Sequence, residues 1–332
     1  DSSNRENYLF NSQINGIEES DLIFLIGTNP RFEATMLNAR IRKAYLSNKT
    51  KIISLNNVGD LTYPYQSLDG KTQTIKDIVE NNHQISNEIL KSQNPMIVLG
   101  QSFLNCKSAK FLFYSLKKFL LTTNKFRDNW QPLNILSEHA SQVGSLDLDI
   151  INNDIELIKE LKENKLELVY LLGQDNLNFK KKDEFIIYQG SHGDKGAEIA
   201  DIILPGAAYT EQSGHFTNLE GKIQKCYKAS YPPGNAKEDW QILNELAEHM
   251  NNRKLFNDKD ELESSMINYI NLKKERQNVD TAEVLKNDQY IDEDLKIISK
   301  NYYFSNVIAR ASKTMLECHN SKLDIKRTGT EG

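Results

Sequence analysis

One grammar, repeated along this chain, restricts its fold more than any other feature: a short apolar run, a turn carrying glycine, then a helical pattern. Residues 21–26 (DLIFLI) stop at Gly27, Thr28, Asn29 and Pro30, and a helical stretch follows over 34–46. A β-branched run occupies 51–55, and a helix with Ile75, Ile78 and Val79 on one face comes after it. Residues 95–100 (PMIVLG) repeat strand and glycine, and 109–121 reads as the next helix. Antiparallel hairpins need no helix between strands, whereas parallel strands need a crossover, so this order predicts a parallel sheet with helices on both faces.

The second half opens with a helix predicted over 154–163 and repeats the pattern. Residues 166–172 end at Gly173, 185–188 end at Gln189 and Gly190, and 201–204 end at Pro205 and Gly206. Each reads as a buried strand whose carboxyl end delivers a loop, the place where open α/β sheets hold ligands. After Pro232, Pro233 and Gly234 the pattern changes to helices over 240–250, 262–272 and 305–316, with a polar tail over 320–332 expected to fray. The expected organisation is α/β and doubly wound, with mostly parallel sheets, flanking helices and a helical C-terminal tail. A first α/β unit spans 1–150, a second with the glycine loops 151–250, and a helical, partly irregular extension 251–332.

Composition removes several function classes. Across 332 residues, 41 Lys and Arg stand against 46 Asp and Glu, a net charge of −5 that offers no field for nucleic acid or an anionic membrane. The three cysteines, Cys106, Cys226 and Cys318, are scattered, so this chain alone supplies neither an iron-sulfur cluster nor a structural zinc site. So sparse a set also fits a reducing compartment. The longest apolar stretch, 111–121, is interrupted by Lys117 and Lys118 and falls short of the roughly 18 residues that span a bilayer. The chain opens on Asp1 without a hydrophobic signal core or an Arg-rich presequence, so its start is expected to be a processed end or the edge of a longer polypeptide.

Several constellations admit two readings. The loop from Gly27 through Thr28, Asn29 and Arg31 to Glu33 reads either as an anion cradle, because helix-terminal amides and an arginine favour phosphate, or as a well-made βα turn; spacing alone favours the turn. It matches neither the dinucleotide fingerprint nor the P-loop. His192 and Asp194, in SHGDKG, could form a general base or half a metal site, yet a glycine loop bonding its own backbone is the commoner outcome. His139 and His215 stand alone and read as structural. Residues 217–221 (TNLEG) read as a hairpin turn, with Gly221 able to take positive φ.

Taken together, residues 21–44, 185–224 (with ILPGAAYTE and TNLEGKIQ) and 232–250 resemble the molybdopterin oxidoreductase superfamily. Within it they are most similar to the large iron-sulfur subunits of respiratory complex I, over about 8–250 and more weakly over 305–318. Arg31, Phe32 and Glu33 after the GTNP turn, and the loop from Gly190 to Asp194, match that branch. The stretch 174–177 (QDNL) departs from the glycine- and proline-containing cofactor loop of many superfamily members.

The resemblance implies a non-catalytic structural part of the peripheral arm of complex I. It would support NADH-to-ubiquinone electron transfer carried by clusters on other chains or on an N-terminal cluster domain absent here. It implies no cofactor on this chain, with 4Fe-4S and 2Fe-2S clusters on the N-terminal part of the subunit and no molybdenum. Vestigial cleft residues would be Gly27, Thr28, Asn29, Arg31, Gly173, Gln189, His192 and Asp194. Implied partners are that iron-sulfur part, the NADH-binding flavoprotein subunit and other peripheral-arm subunits, without nucleic acid or direct membrane insertion. The implied location is the matrix side of the mitochondrial inner membrane or the cytoplasmic face of a bacterial one. The alternative is a cofactor-binding fragment of an active, formate-dehydrogenase-like molybdopterin oxidoreductase.

Overall fold

The computed structural model describes residues 4–150, 159–161, 163, 165–174, 180–274, 289–298 and 302–328. Of the helix predicted over 154–163, residues 159–161 and 163 are described and helical, while 154–158 and 162, and 175–177 of the 174–177 loop, lie outside these residues. The chain forms two units from interleaved stretches: Asp1–Ile151, Phe216–Gln224 and Asn268–Ser299 make the first, and Asn152–His215, Lys225–Ile267 and Lys300–Gly332 the second. Three consecutive units were expected, and the difference has a physical cause. The hairpin turn bonds back to the amino-terminal segment, with Phe10 N donating to Leu219 O at 2.8 Å and Ile14 N to the Glu220 carboxylate at 2.7 Å. Within the extension expected over 251–332, residues 268–299 belong to the first unit, through long-range contacts that composition does not mark.

The first unit is built on a five-stranded parallel sheet of β1 (Leu22–Ile26), β2 (Lys51–Ser54), β3 (Gln66–Ser67), β4 (Pro95–Leu99) and β5 (Leu133–Ile135), in the order β3-β2-β1-β4-β5. Strand β1 is central because all five of its residues are apolar and can be buried on both faces. Leu22, Phe24 and Ile26 meet α3 (Thr72–Val79), α4 (Gln84–Lys91) and α6 (Ala109–Thr122). Ile23 and Leu25 face α2 (Thr35–Asn48), whose Leu37, Ile41 and Ala44 lie on one stripe. Each of these Leu, Ile and Phe side chains contributes about 1.5–3 kcal/mol when fully buried. Two further short elements, α1 (Pro30–Glu33) and α5 (Gln101–Leu104), follow the ends of β1 and β4. The crossover after β1 runs on the α2 face and that after β4 on the α6 face, so the strand order reverses between β1 and β4. That reversal creates a crevice at their carboxyl ends.

The second unit holds a three-stranded parallel sheet, β6 (Leu168–Leu172), β7 (Phe185–Gly190) and β8 (Ile202–Pro205), ordered β6-β7-β8. Ala197, Ile199 and Ala200 cover one face, over Val169, Leu171, Ile186 and Tyr188. The register puts Leu168 beside Phe185, and Ile187 beside Ile202, on the opposite face. There Leu168, Phe185 and Ile202 are 56%, 43% and 45% exposed. The prediction of buried strands is therefore met in part: Gln189 is fully buried on that face, and Ile203, beside Tyr188 on the other, is 54% exposed. The hairpin is present as β9 (Gly214–Thr217) and β10 (Ile223–Cys226), with Gly221 at φ +79°. The helix Asp239–Asn251 begins with a reciprocal capping box between Glu238 and Gln241. The helix predicted over 305–316 is broken at the extended Ser312, between Val307–Ala311 and Lys313–Thr328. The tail expected to fray is helical to Thr328.

Candidate functional site

The candidate site in the first unit lies where β1 and β4 deliver their loops. Gly27 has φ +65°, a left-handed conformation that glycine adopts without strain. A Cβ placed on it would lie 2.3 Å from Phe103 N, and one on Gly100 would lie 2.6 Å from Gly27 O and 2.4 Å from Thr28 Cβ. The two loops therefore pack directly against each other, and Gly100 N and Ser102 N donate to Ile26 O and Gly27 O at 2.9 and 3.2 Å. Asn29 caps α1, its Oδ1 accepting from Arg31 N, while its Nδ2 donates to Val58 O at 3.0 Å.

The place an anion would take is filled from within. The Glu33 carboxylate accepts from Asn29 N at 2.9 Å and from the Thr28 hydroxyl at 2.7 Å. Burial pushes its pKa up against those two hydrogen bonds, and the charge of Glu138 adds to the rise. Arg31 turns away, donating through Nη1 to the Asp60 carbonyl and carboxylate, each at 2.7 Å. Asp60 is held below its ordinary pKa by the Thr62 amide and then by Arg31.

A phosphate about 4 Å from Glu33 would meet repulsion of about 4 kcal/mol per charge pair at an effective dielectric near 20. A helix terminus returns about 0.3–1 kcal/mol. The residues present therefore do not fit a pterin-nucleotide phosphate at this loop. Sequence reasoning named Gly27, Thr28, Asn29, Arg31 and Glu33, which the fold brings to one loop, but did not foresee that Glu33 turns onto the loop's own amide and hydroxyl while Arg31 pairs with Asp60.

In the second unit, Gln189 is fully buried at the end of β7. Its Nε2 donates to Asp239 Oδ1 at 2.8 Å, and its Oε1 accepts from the Tyr170 hydroxyl at 2.5 Å. Gln212 Nε2 reaches Asp239 Oδ2 at 3.1 Å. Burial, then the Asp239 charge, raises the Tyr170 pKa. This closed network of Tyr170, Gln189, Gln212 and Asp239 uses polar groups a ligand would need, and three of its members carried no motif. Gly173, at φ +62°, donates its amide to Gln189 O at 2.8 Å.

His192 and Asp194 are committed locally. The imidazole Nδ1 pairs with the Ser191 hydroxyl at 2.9 Å, and His192 O accepts from the Tyr188 hydroxyl at 2.8 Å. Asp194 caps the short helix Lys195–Glu198 and accepts from Arg310 Nε at 2.8 Å. The Arg310 hydrogen bond is the main cause of its lowered pKa. Its carboxylate is thus engaged by a cation rather than orienting a base. Among the described residues no group of three or more His, Cys, Asp or Glu side chains could hold a metal ion.

Comparison with known proteins places this geometry in context. Residues 1–249 match the family model described as molybdopterin oxidoreductase, and residues 270–318 match the model for the C-terminal region of the NADH-ubiquinone oxidoreductase G subunit. The chain is similar to the NADH-ubiquinone oxidoreductase 75 kDa subunit of Reclinomonas americana, 37% identical over 95% of this chain and 47% of the relative. It is similar to the mitochondrial NADH-ubiquinone oxidoreductase 78 kDa subunit of Candida albicans, 34% identical over 95% of this chain and 45% of that one. The NADH-quinone oxidoreductase G subunit of Rickettsia bellii is 36% identical over 99% of this chain and 48% of its own length. The chain thus spans about half the length of the curated relatives it matches.

Proposed function

The chain belongs to the molybdopterin oxidoreductase family, and from its likeness to the 75 kDa, 78 kDa and G subunits of NADH-ubiquinone and NADH-quinone oxidoreductases we propose that it is a non-catalytic structural part of the peripheral arm of respiratory complex I. In this reading it carries no cofactor, and electrons pass from NADH to ubiquinone through clusters outside these residues. The 4Fe-4S and 2Fe-2S clusters belong to the remaining part of the subunit, and molybdenum has no place in it. Its partners are that iron-sulfur part, the NADH-binding flavoprotein subunit and other peripheral-arm subunits. Its location is the matrix side of the mitochondrial inner membrane or the cytoplasmic face of a bacterial one.

The observation that supports the cofactor-free reading is the Glu33 carboxylate on the Asn29 amide and Thr28 hydroxyl, the groups of the candidate anion cradle. Two others support an assembly role. The open face of the β6-β7-β8 sheet exposes Leu168, Phe185 and Ile202, whereas parallel sheets are almost always covered on both faces. No helix among the described residues is long and apolar enough to cross a membrane, which agrees with attachment through other subunits.

The test is the metal and flavin content of the native-gel band that holds this chain after mild solubilisation. Iron and flavin without molybdenum, in a large band that oxidises NADH, are expected. Molybdenum in a small band without flavin would replace this reading with that of a working molybdopterin enzyme. His192→Ala and Asp194→Ala are each expected to leave turnover of the assembled enzyme unchanged, and a large drop at normal assembly would refute the structural role.

A further inference from the structure

The first unit includes an extended segment, 290–298, far along the chain from the sheet it joins. Leu295 is 3% exposed and sits in the same core as Phe24, Ile26, Ile97, Leu99 and Phe103. From Ile291 to Leu295 the segment is bonded at alternate residues, as a strand would be, but largely by side chains and loops, and it is bonded again at Ile298. Ile291 N donates to Ser108 Oγ at 2.7 Å, and that hydroxyl donates to Ile291 O at 2.9 Å. Glu293 N donates to Thr72 Oγ1 at 2.9 Å, and Thr72 N to Glu293 O at 3.0 Å. Leu295 N donates to Gly70 O at 2.8 Å, and Asn56 Nδ2 to Leu295 O at 2.6 Å. Finally, Ile298 N donates to Ser102 Oγ at 2.8 Å.

These anchors mark where the segment runs. Asn56 follows β2, Gly70 follows β3, and Ser102 follows β4. Three extended residues, from Leu295 to Ile298, reach about 10 Å, and two strand spacings measure about 9.6 Å. The backbone thus passes from the β2 end to the β4 end, and β1 is the strand between them. Its charge suits the position: Lys107 N, at the start of α6, donates to the Glu293 carboxylate at 2.6 Å, and Thr72 Oγ1, at the start of α3, donates to Asp292 Oδ1 at 3.3 Å. Acidic groups therefore stand at helix amino ends, which favour anions.

We propose that segment 290–298 is an internal ligand of the first unit, an acidic peptide strap occupying the crevice across β2, β1 and β4 that open α/β sheets otherwise offer to small molecules. Recognition rests on main-chain groups of the strap held by the side chains of Ser108, Thr72, Asn56 and Ser102 and by Gly70, with the buried Leu295 fixing its register. The proposal concerns the first unit alone and does not depend on the assembly role.

The test uses the full chain carrying Leu295→Asp, and separately the milder Asn56→Ala, followed by amide hydrogen exchange. Release of the strap is expected to speed exchange at Thr72 and Leu295 (Asp in the first variant) by on the order of tenfold or more while β1 stays protected. A synthetic peptide of residues 289–298 added in trans should restore Thr72 protection, and the same peptide with Leu295→Asp should not. If Leu295→Asp also loses β1 protection, Asn56→Ala gives the reading. Unchanged exchange at Thr72 in the variants, or no rescue by the peptide, would overturn the proposal. So would binding of a fluorescent nucleoside diphosphate in the β1-β4 crevice of the unaltered chain.

Discussion

Three glycines of the first unit separate two costs that usually come mixed. Gly59 has φ +76° with nothing within 4 Å of an added Cβ, so Gly59→Ala meets conformational strain alone. Gly100 has φ −95°, yet its Cβ would lie 2.4 Å from Thr28 Cβ and 2.6 Å from Gly27 O, so Gly100→Ala meets crowding alone. Gly27, with φ +65° and Phe103 N at 2.3 Å, meets both. Left-handed backbone costs a residue with Cβ about 1–2 kcal/mol, and overpacking about 1–3 kcal/mol. Restricting the unfolded chain by replacing Gly with Ala returns about 0.4–1 kcal/mol in each variant. The expected losses are therefore about 1 kcal/mol for Gly59→Ala, about 1–2 for Gly100→Ala and about 2–4 for Gly27→Ala.

Urea titration would measure them through the fluorescence of buried Trp130 in a Trp240→Phe background, since the chain has two tryptophans. Gly27→Ala costing no more than Gly59→Ala would refute the reasoning, because the β1 and β4 loops would then not be locked together.

Other perturbations bear on separate parts of the molecule. Asp147 is 1% exposed and held by Arg5 Nε at 2.8 Å, Arg5 Nη2 at 2.9 Å and the Tyr8 hydroxyl at 2.8 Å. Arg5→Ala is therefore expected to cost on the order of 3 kcal/mol by urea midpoint, and a loss under about 1 kcal/mol would mean that water replaces the guanidinium. Burial raises the Asp21 pKa, but the Ser92 hydroxyl and the amides of Gln93 and Asn94 outweigh it and leave it lowered. Its stabilising contribution is thus present above the ordinary carboxylate range and lost as pH falls through its folded value, so Asp21→Asn should flatten the acid side of the stability profile. Glu33 has the opposite sign: its contribution is full below the ordinary value and lost as pH rises through the raised one, so Glu33→Gln should steepen the rise in stability as pH climbs above the ordinary carboxylate range. Burial pushes the Cys106 thiol up to about 11, so iodoacetamide near pH 8 should label exposed Cys318 and leave Cys106 largely intact by mass spectrometry.

The parts legible in the sequence were those written in contiguous patterns. The central strands β1 and β4 announce themselves because four or five apolar residues in a row, closed by a turn, have few other uses in a soluble chain, while β2 shows only the pair Ile52 and Ile53. Strand β5 has three residues and a buried Asn134 in the middle, too little for any pattern to register. Helix α4 follows α3 closely, and its single apolar face is short. The strap could not be read at all: its neighbouring acids, Asp292, Glu293 and Asp294, look solvated until Thr72 and Lys107 are brought beside them. At the candidate site the glycine loops were correctly located as the ends of strands. What they do depends on where Glu33 and Asp239 point, and side-chain direction at a loop is set by packing that no spacing encodes.

The composition of the first unit from three stretches of chain also sets a clock for its birth. Ribosomes add about 5–20 residues per second, and the strap lies roughly 160 residues beyond the last strand of its sheet, so synthesis leaves that sheet without it for about ten seconds or more. During that interval the core around Phe24 and Ile97 lacks Leu295, and Ser102, Asn56 and Thr72 lack the peptide groups they later hold. A nascent chain stalled before residue 289 should therefore recruit chaperones more strongly than one stalled after residue 299.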